Sequence, residues 1–306
     1  MNGSPAEAIG LSTELLVRLR GLALQNRRLL PGPGTGRRRS PRAGSSVELM
    51  DYRNYTPGDD LRRLDWNVYA RLERLFLRVY RAEENLLLRV LLDTSASMGF
   101  GTPPKLDFGK RVAGALAYVA LCSYDRVAMV GCGGAPANGT GSRLTALSPA
   151  SGEAAAWRVW EFLARLQAGG TADLDRALAE AGRTVREPGL TLVITDALYP
   201  GACQRGLRSL LEAGQEVALV QVLAPEETDP EITGDWRLVD SEDPDARVEV
   251  TLTPSHLAAY RKNVAAYTDE LNSFCRHHGI FYFQTSSADD VDLALFRLWR
   301  QSGLVR

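Results

Sequence analysis

Lysine is scarce in this sequence. Only Lys105, Lys110 and Lys262 are Lys among 36 basic residues, and the rest are Arg. A compositional bias of the source genome explains this more simply than selection for bidentate anion binding. Histidine is as rare: His256, His277 and His278 all fall late, on one predicted helix. That removes the commonest catalytic base and zinc ligand from the rest of the chain. HExxH and GxSxG are both missing, which argues against metalloprotease and serine hydrolase chemistry. The four cysteines (Cys122, Cys132, Cys203, Cys275) include no CxxC pair, so they read as buried thiols in a reducing compartment. No apolar run reaches the roughly 18 residues of a membrane span. The first residues show no basic stretch followed by an apolar one, so the expected location is cytoplasmic, without a transmembrane segment. Charge of one sign is also lacking. The net is −1, with 15 basic and 10 acidic side chains up to residue 86 and 21 and 27 after it. So mild an asymmetry gives no nucleic-acid signature.

What is present is an apolar content of 45%, enough for a sizeable core. The most informative stretch is residues 86–100, LLLRVLLDTSASMGF. It opens as an apolar run interrupted only by Arg89, the pattern of a strand buried on both faces of a parallel sheet. It ends in small oxygen-bearing side chains where a loop leaves the strand. Positions 93, 95 and 97 alternate, so Asp93, Ser95 and Ser97 can converge on one point. Three oxygens are half of what a hard cation such as Mg²⁺ takes. The loop GGTAD offers Thr171, and the second buried-strand pattern, LTLVITD, ends on Asp196. In open α/β sheets, ligands sit outside the carboxyl ends of strands where strand order reverses, and two strand-end aspartates with a loop threonine suit that place.

DTSAS, GGT and ITD together resemble the metal-ion-dependent adhesion site of von Willebrand factor type A domains, whose pattern is DxSxS…T…D. All five positions are filled, by Asp93, Ser95, Ser97, Thr171 and Asp196. The resemblance implies a Mg²⁺ site (or Mn²⁺/Ca²⁺) in which the serines coordinate directly and Asp93 and Asp196 often act through water. One position would remain for an acidic side chain of a partner. Read without the resemblance, the cluster is an N-capping group at an ordinary strand-to-helix turn.

Residues 6–30 carry apolar positions at helical spacing and predict one amphipathic helix. Residues 31–46, rich in Pro, Gly and Arg, predict a linker; GPGTG lacks the GK[ST] of a phosphate loop. The phrase YTPGDDLRRLDW, residues 55–66, predicts a turn at Pro57-Gly58. A short helix follows, capped by Asp59 or Asp60 and carrying Arg62, Arg63 and Trp66. Beyond residue 100, helices are expected at 106–123, 153–167, 174–185, 202–213, 255–277 and 291–301. Strands are expected at 127–131, 144–147, 190–196, 217–223, 248–252 and 280–284, with 144–147 an antiparallel edge. Residues 133–141 predict a turn. The acid-dense stretch 226–245 lacks EF-hand spacing and predicts a solvated loop. Alternating elements of this kind mean an α/β fold: a doubly wound, mostly parallel sheet flanked by helices, Rossmann-type and von Willebrand factor A-like, with an N-terminal extension packed on it. The expected divisions are residues 1–46, 47–86 and 87–303.

The phrase at residues 55–66 also resembles RxYxPGDDxRxIDW of the bacterial family known as domain of unknown function 58. That family joins this segment to a von Willebrand type A-like domain, and the match runs from about residue 37 to about residue 300. Many members carry two membrane-spanning helices before the segment; this chain shows none there. Genes of the family commonly neighbour those of MoxR-type AAA+ ATPases. The resemblance therefore implies a non-catalytic, metal-dependent protein-binding module acting with such an ATPase, or on an acidic side chain of a client, in chaperone-like or assembly work. No catalytic residue and no organic cofactor is expected. The alternative is a metal-dependent hydrolase or phosphatase, although the DxD of haloacid-dehalogenase-like phosphatases is broken by Ser95.

Overall fold

The computed structural model describes residues 4–22, 24, 49–56, 59, 61, 64–80, 86–133, 144–171, 173–184, 187–198, 203–242 and 245–302. The expected turn at Pro57-Gly58, Asp60, Arg62 and Arg63, the linker at 31–46 and most of the turn at 133–141 lie outside them. Contacts divide the chain into two units, residues 28–85 and residues 1–27 with 86–306.

In the larger unit six strands form one sheet. They are β3 (Leu87–Asp93), β4 (Arg126–Cys132), β5 (Leu144–Ser151), β6 (Leu190–Thr195), β7 (Glu216–Leu223) and β10 (Phe281–Ser286), in the order β10-β7-β6-β3-β4-β5. Every pairing is parallel except β4 with β5, the antiparallel edge. The chain runs outward from β3 through β4 to β5, then crosses back to β6 on the other side of β3. Strand order thus reverses between β3 and β6, and a crevice opens at their carboxyl ends.

The central strands are apolar on both sides because each side meets a helix layer. Leu88, Val90 and Leu92 join one core cluster with Leu192, Ile194, Ala218 and Val220, under α4 (Lys105–Cys122), α5 (Ala156–Arg165) and α10 (Val291–Ser302). Leu91, Val193 and Leu219 enter a second cluster with α6 (Leu174–Thr184), α7 (Gln204–Glu212) and α9 (Pro254–His277). The period-2 alternation of a strand divides its residues between the layers. The expected α/β architecture is therefore the one observed.

Three local expectations are corrected. The N-terminal stretch is not one helix but two, α1 (Pro5–Ala8) and α2 (Thr13–Leu19). Gly10 between them adopts φ +77°, outside the helical region, and Ser12 caps the second helix by accepting the Leu15 N–H. Ala6, Ile9, Leu11, Leu15 and Leu19 are buried in the first cluster, so this extension packs on the larger unit.

In the smaller unit, β1 (Leu49–Asn54) and β2 (Phe76–Tyr80) pair antiparallel where no strand is expected from the sequence. The helix there is α3 (Trp66–Leu72), and its cap is Asp65, whose Oδ1 accepts the Asn67 and Val68 N–H groups. Asp59 instead closes a turn, accepting from Thr56 and Arg53. The Trp66 side chain is 63% exposed, so it is no core anchor of this unit.

The third correction concerns the acid-dense stretch. It is ordered, as the short helix α8 (Pro225–Thr228) and a separate two-stranded hairpin of β8 (Gly234–Val239) and β9 (Arg247–Leu252). Among the described residues no helix is long and apolar enough to cross a membrane.

Candidate metal centre

Asp93 closes β3 and Asp196 directly follows β6, so the reversal of strand order places the two aspartates at one crevice. The loop after β3 is held on both sides by backbone. Thr94 N–H donates to Cys132 O at 2.8 Å, and a Cβ on Gly133 would lie 2.5 Å from the Thr94 carbonyl carbon. Only glycine lets β4 leave so close to that loop. On the other side Ala96 N–H donates to Gly170 O (2.9 Å) and Gly169 N–H to Thr94 O (3.0 Å). This staples the GGT loop to the DTSAS loop and brings Thr171, 78 residues after Asp93, to the same rim.

Asp93 is almost wholly buried, and each of its oxygens accepts a hydrogen bond. Oδ1 takes the Ser95 N–H (2.9 Å) and Oδ2 the Thr195 hydroxyl (2.7 Å). The Ser95 and Ser97 hydroxyls lie 2.9 Å apart. The Asp196 carbonyl accepts from the buried Gln221 amide (2.8 Å), itself held by the Tyr282 hydroxyl (2.6 Å). Asp196 Oδ2 accepts from Lys105 Nζ at 2.7 Å, and the same ammonium bonds Glu227. Lys105 is completely buried at the start of α4.

All five residues expected from the sequence line one cavity of about 930 Å³. Five more carboxylates share it: Asp173, Asp175, Glu227, Asp240 and Glu242. Against these seven, the described lining residues include one cation, Arg205, which is taken by Asp175 at 2.8 Å. Sequence reasoning missed Thr195, Lys105, Glu227 and the hairpin tip with Asp240 and Glu242. Thr195 was within reach as the residue beside a strand-end aspartate. The others have no spacing relation to the motif.

Crowded carboxylates in a poorly hydrated place resist ionisation. Asp93 is pushed up to about 6, first by burial and then by the charge of Asp196, against the opposing bonds from Ser95 and Thr195. Glu242 is raised by burial, then by Asp93 and Asp196, with Ser97 hydrogen bonding in opposition. Glu227 is raised too, because burial outweighs the attraction of Lys105.

The shift of Asp93 has a sign in stability. Its carboxyl binds a proton more tightly folded than unfolded, so its contribution is present below about pH 4 and is lost as pH rises through about 6. Asp125, also raised to about 6 by burial, acts in the same window. Asp59, drawn down to about 2 by Thr56 and then Arg53, acts the opposite way only below its ordinary 3.8. In a chelating buffer, Asp125→Asn protein should therefore melt at a higher temperature at pH 5 than at pH 7. Between pH 5 and pH 7 the Asp93 share is about 1 kcal/mol. A melting temperature that rises with pH across this window would contradict it.

The donors can be compared with what a hard cation requires. Neighbouring corners of a Mg²⁺ octahedron with bonds near 2.1 Å are about 3.0 Å apart, the spacing of the two serine hydroxyls. Among the described residues no three His, Cys, Asp or Glu side chains form a metal-holding group. A cation here would draw on Ser95, Ser97 and Thr171 for oxygens. Asp93, with both oxygens engaged by Ser95 and Thr195, and Asp196, with Oδ2 engaged by Lys105, would supply charge. Oxygens of this kind are the donors a hard cation takes.

Known proteins resemble the chain as follows. The family described as protein of unknown function DUF58 matches residues 51–270. Uncharacterized proteins of Mycobacterium bovis and Mycobacterium tuberculosis are 30% identical over 242 residues, covering 78% of this chain and 70% of theirs. Among solved structures, an aerotolerance-related membrane protein of Bacteroides fragilis is 18% identical. It covers 71% of this chain and 98% of its own, with a TM-score of 0.43. A von Willebrand factor type A protein of Catenulispora acidiphila is 22% identical over 46% of this chain and 34% of its own, with a TM-score of 0.32.

Proposed function

The chain belongs to the DUF58 family of proteins of unknown function, and from that premise we propose that its α/β unit is a divalent-cation-dependent protein-binding module. The observation that carries the reading is the meeting of Asp93, Ser95, Ser97, Thr171 and Asp196 in one acidic cavity at the reversal of strand order. A cation held mainly by neutral hydroxyls keeps much of its charge. Bound there, it would act as a Lewis acid toward a carboxylate brought by a partner. The chain's own part is positional. The Ser95 N–H and the Thr195 hydroxyl fix the Asp93 carboxylate, Gln221 fixes the backbone at Asp196, and the Gly170 carbonyl holds Ala96 between the two serines.

The partner we propose is a MoxR-type AAA+ ATPase, or a client that presents an Asp or Glu; family membership supports this choice. We assign the cavity no catalytic role.

Calorimetry on the full chain should show Mg²⁺ or Mn²⁺ binding, weakened by Ser95→Ala, Ser97→Ala and Thr171→Ala. Capture of the purified ATPase should fail in EDTA. No heat at millimolar cation, alone or with the ATPase, overturns the cation reading. Equal capture with and without EDTA places the complex elsewhere, with the basic residues 37–42 the next candidate. Turnover of generic phosphoesters or esters that depends on the cation would turn the reading toward the hydrolase.

A further inference from the structure

The hairpin of β8 and β9 contributes almost nothing to the core. All six residues of β8 are exposed, and in β9 only Val250 and Leu252 are half-buried. Its six residue pairs run from Gly234 with Leu252 to Val239 with Arg247, so it is an arm built on its own ladder. Yet its tip is not left in solvent. Asp240 and Glu242 both line the cavity of Asp93, Ser95 and Ser97. The tip is shaped for this: Asp240 Oδ1 accepts the Glu242 N–H at 2.8 Å, and Asp240 N–H donates to Ala246 O at 3.1 Å. The Glu242 side chain is half-buried there, in one cavity with Ser97 and the carboxylates of Asp93 and Asp196.

Like charges brought together at the end of an otherwise exposed arm repel, and the Ser97 bond alone is a modest offset. A divalent cation beside Ser97 would turn that repulsion into attraction. The carboxylates of Asp93 and Asp196 already carry hydrogen bonds, and Glu242 is a third carboxylate lining the same cavity. This builds on the cation site argued above. We infer that Glu242 is an intrinsic ligand of that site: its carboxylate takes the outward coordination position, and a partner's carboxylate gains it by displacing the hairpin tip. The arm would thus set a threshold on partner binding, because an incoming acid has to outcompete one already tethered at high effective concentration.

The test compares wild-type full-length protein with Glu242→Gln and Glu249→Gln. Glu249 is an exposed hairpin carboxylate paired with Arg237 and lies outside the cavity. Mn²⁺ reports through water-proton relaxation, which rises with each coordinated water, and glutarate serves as the carboxylate probe. Glu242→Gln should keep the fold by circular dichroism and weaken Mn²⁺ binding roughly fivefold or more. It should also gain one coordinated water in relaxation, and let glutarate bind the Mn²⁺ form more tightly than it binds wild type. Glu249→Gln should change none of these. If Mn²⁺ binds wild type and Glu242→Gln alike, with equal relaxation and equal response to glutarate, the intrinsic-ligand inference is overturned and the cation site stands. If Mn²⁺ does not bind wild type, both fall together.

Discussion

Lys105→Met is expected to destabilise the protein by about 3–5 kcal/mol, the cost of leaving buried charge without its counter-ion. Lys105 has no exposed surface, and its ammonium is shared between Asp196 and Glu227. Methionine keeps the length and apolar stem of the side chain, so little packing is lost and the effect isolates charge. For a protein of this size the melting temperature should fall on the order of 10 °C. Adding Glu227→Gln removes one of the two stranded carboxylates. The double variant Lys105→Met/Glu227→Gln should recover a large part of the loss, a coupling that a double-mutant cycle reads directly. A double variant no more stable than Lys105→Met would mean that Lys105 matters through the packing at the start of α4 and not through the carboxylates.

The site was legible in the sequence to the extent that its parts are periodic or contiguous. Asp93, Ser95 and Ser97 are neighbours at a spacing of two, and the strands that carry Asp93 and Asp196 announce themselves as apolar runs of β length. Thr171 needed only the glycines before it. Lys105 is another matter. A lysine directly after two prolines reads as a solvated start to a helix, and nothing local ties it to Asp196, 91 residues later. Its burial is a product of the sheet order, which sets the head of α4 against the carboxyl end of β6.

The hairpin tip was illegible for a different reason. The strand expected at 248–252 is β9, and the alternation of Trp236 and Leu238 on β8 is the matching signal, since these residues pair with Val250 and Val248 across the ladder. Nine acids in twenty residues pointed instead to solvent, because dense like charge is normally hydrated. In the smaller unit Asp65 was passed over as a cap in favour of Asp59 and Asp60. Both choices satisfied the preference for Asp before a helix, and only the strand pairing of Leu64 with Leu77 places the helix start at Trp66. One glycine inside an apolar periodicity is usually tolerated, so Gly10 does not by itself break the expected helix. Its φ of +77° with a serine cap two residues on is what divides the helix.

Asp93→Asn is expected to have the other large effect, and in two opposite directions. Asparagine is isosteric, and its carbonyl oxygen can still accept the Ser95 N–H that Asp93 Oδ1 accepts. In a chelating buffer at pH 7 the variant should be as stable as wild type or more so, by up to about 2 kcal/mol. The wild-type carboxylate, with its ordinary value pushed up to about 6, is ionised there against burial and the charge of Asp196. Cation binding should behave in the reverse way. With Asp93 neutral, the negative charge deepest in the crevice is gone, Asp196 is already shared with Lys105, and the hydroxyls of Ser95, Ser97 and Thr171 are left with little to hold a divalent ion. Affinity for Mg²⁺ or Mn²⁺ should fall by a hundredfold or more, about 3 kcal/mol, as for a ligand lost from a hard-cation site. Scanning calorimetry with EDTA and with 10 mM Mg²⁺, a roughly chosen excess over ordinary protein-site affinities, would read both arms at once. Wild type should gain melting temperature on adding Mg²⁺, because a ligand that binds only the folded state stabilises it, and Asp93→Asn should not. An equal gain in both proteins would place the cation on other groups. A variant that melts well below wild type in EDTA would make Asp93 a structural member of the β3 loop whose ionisation the fold requires.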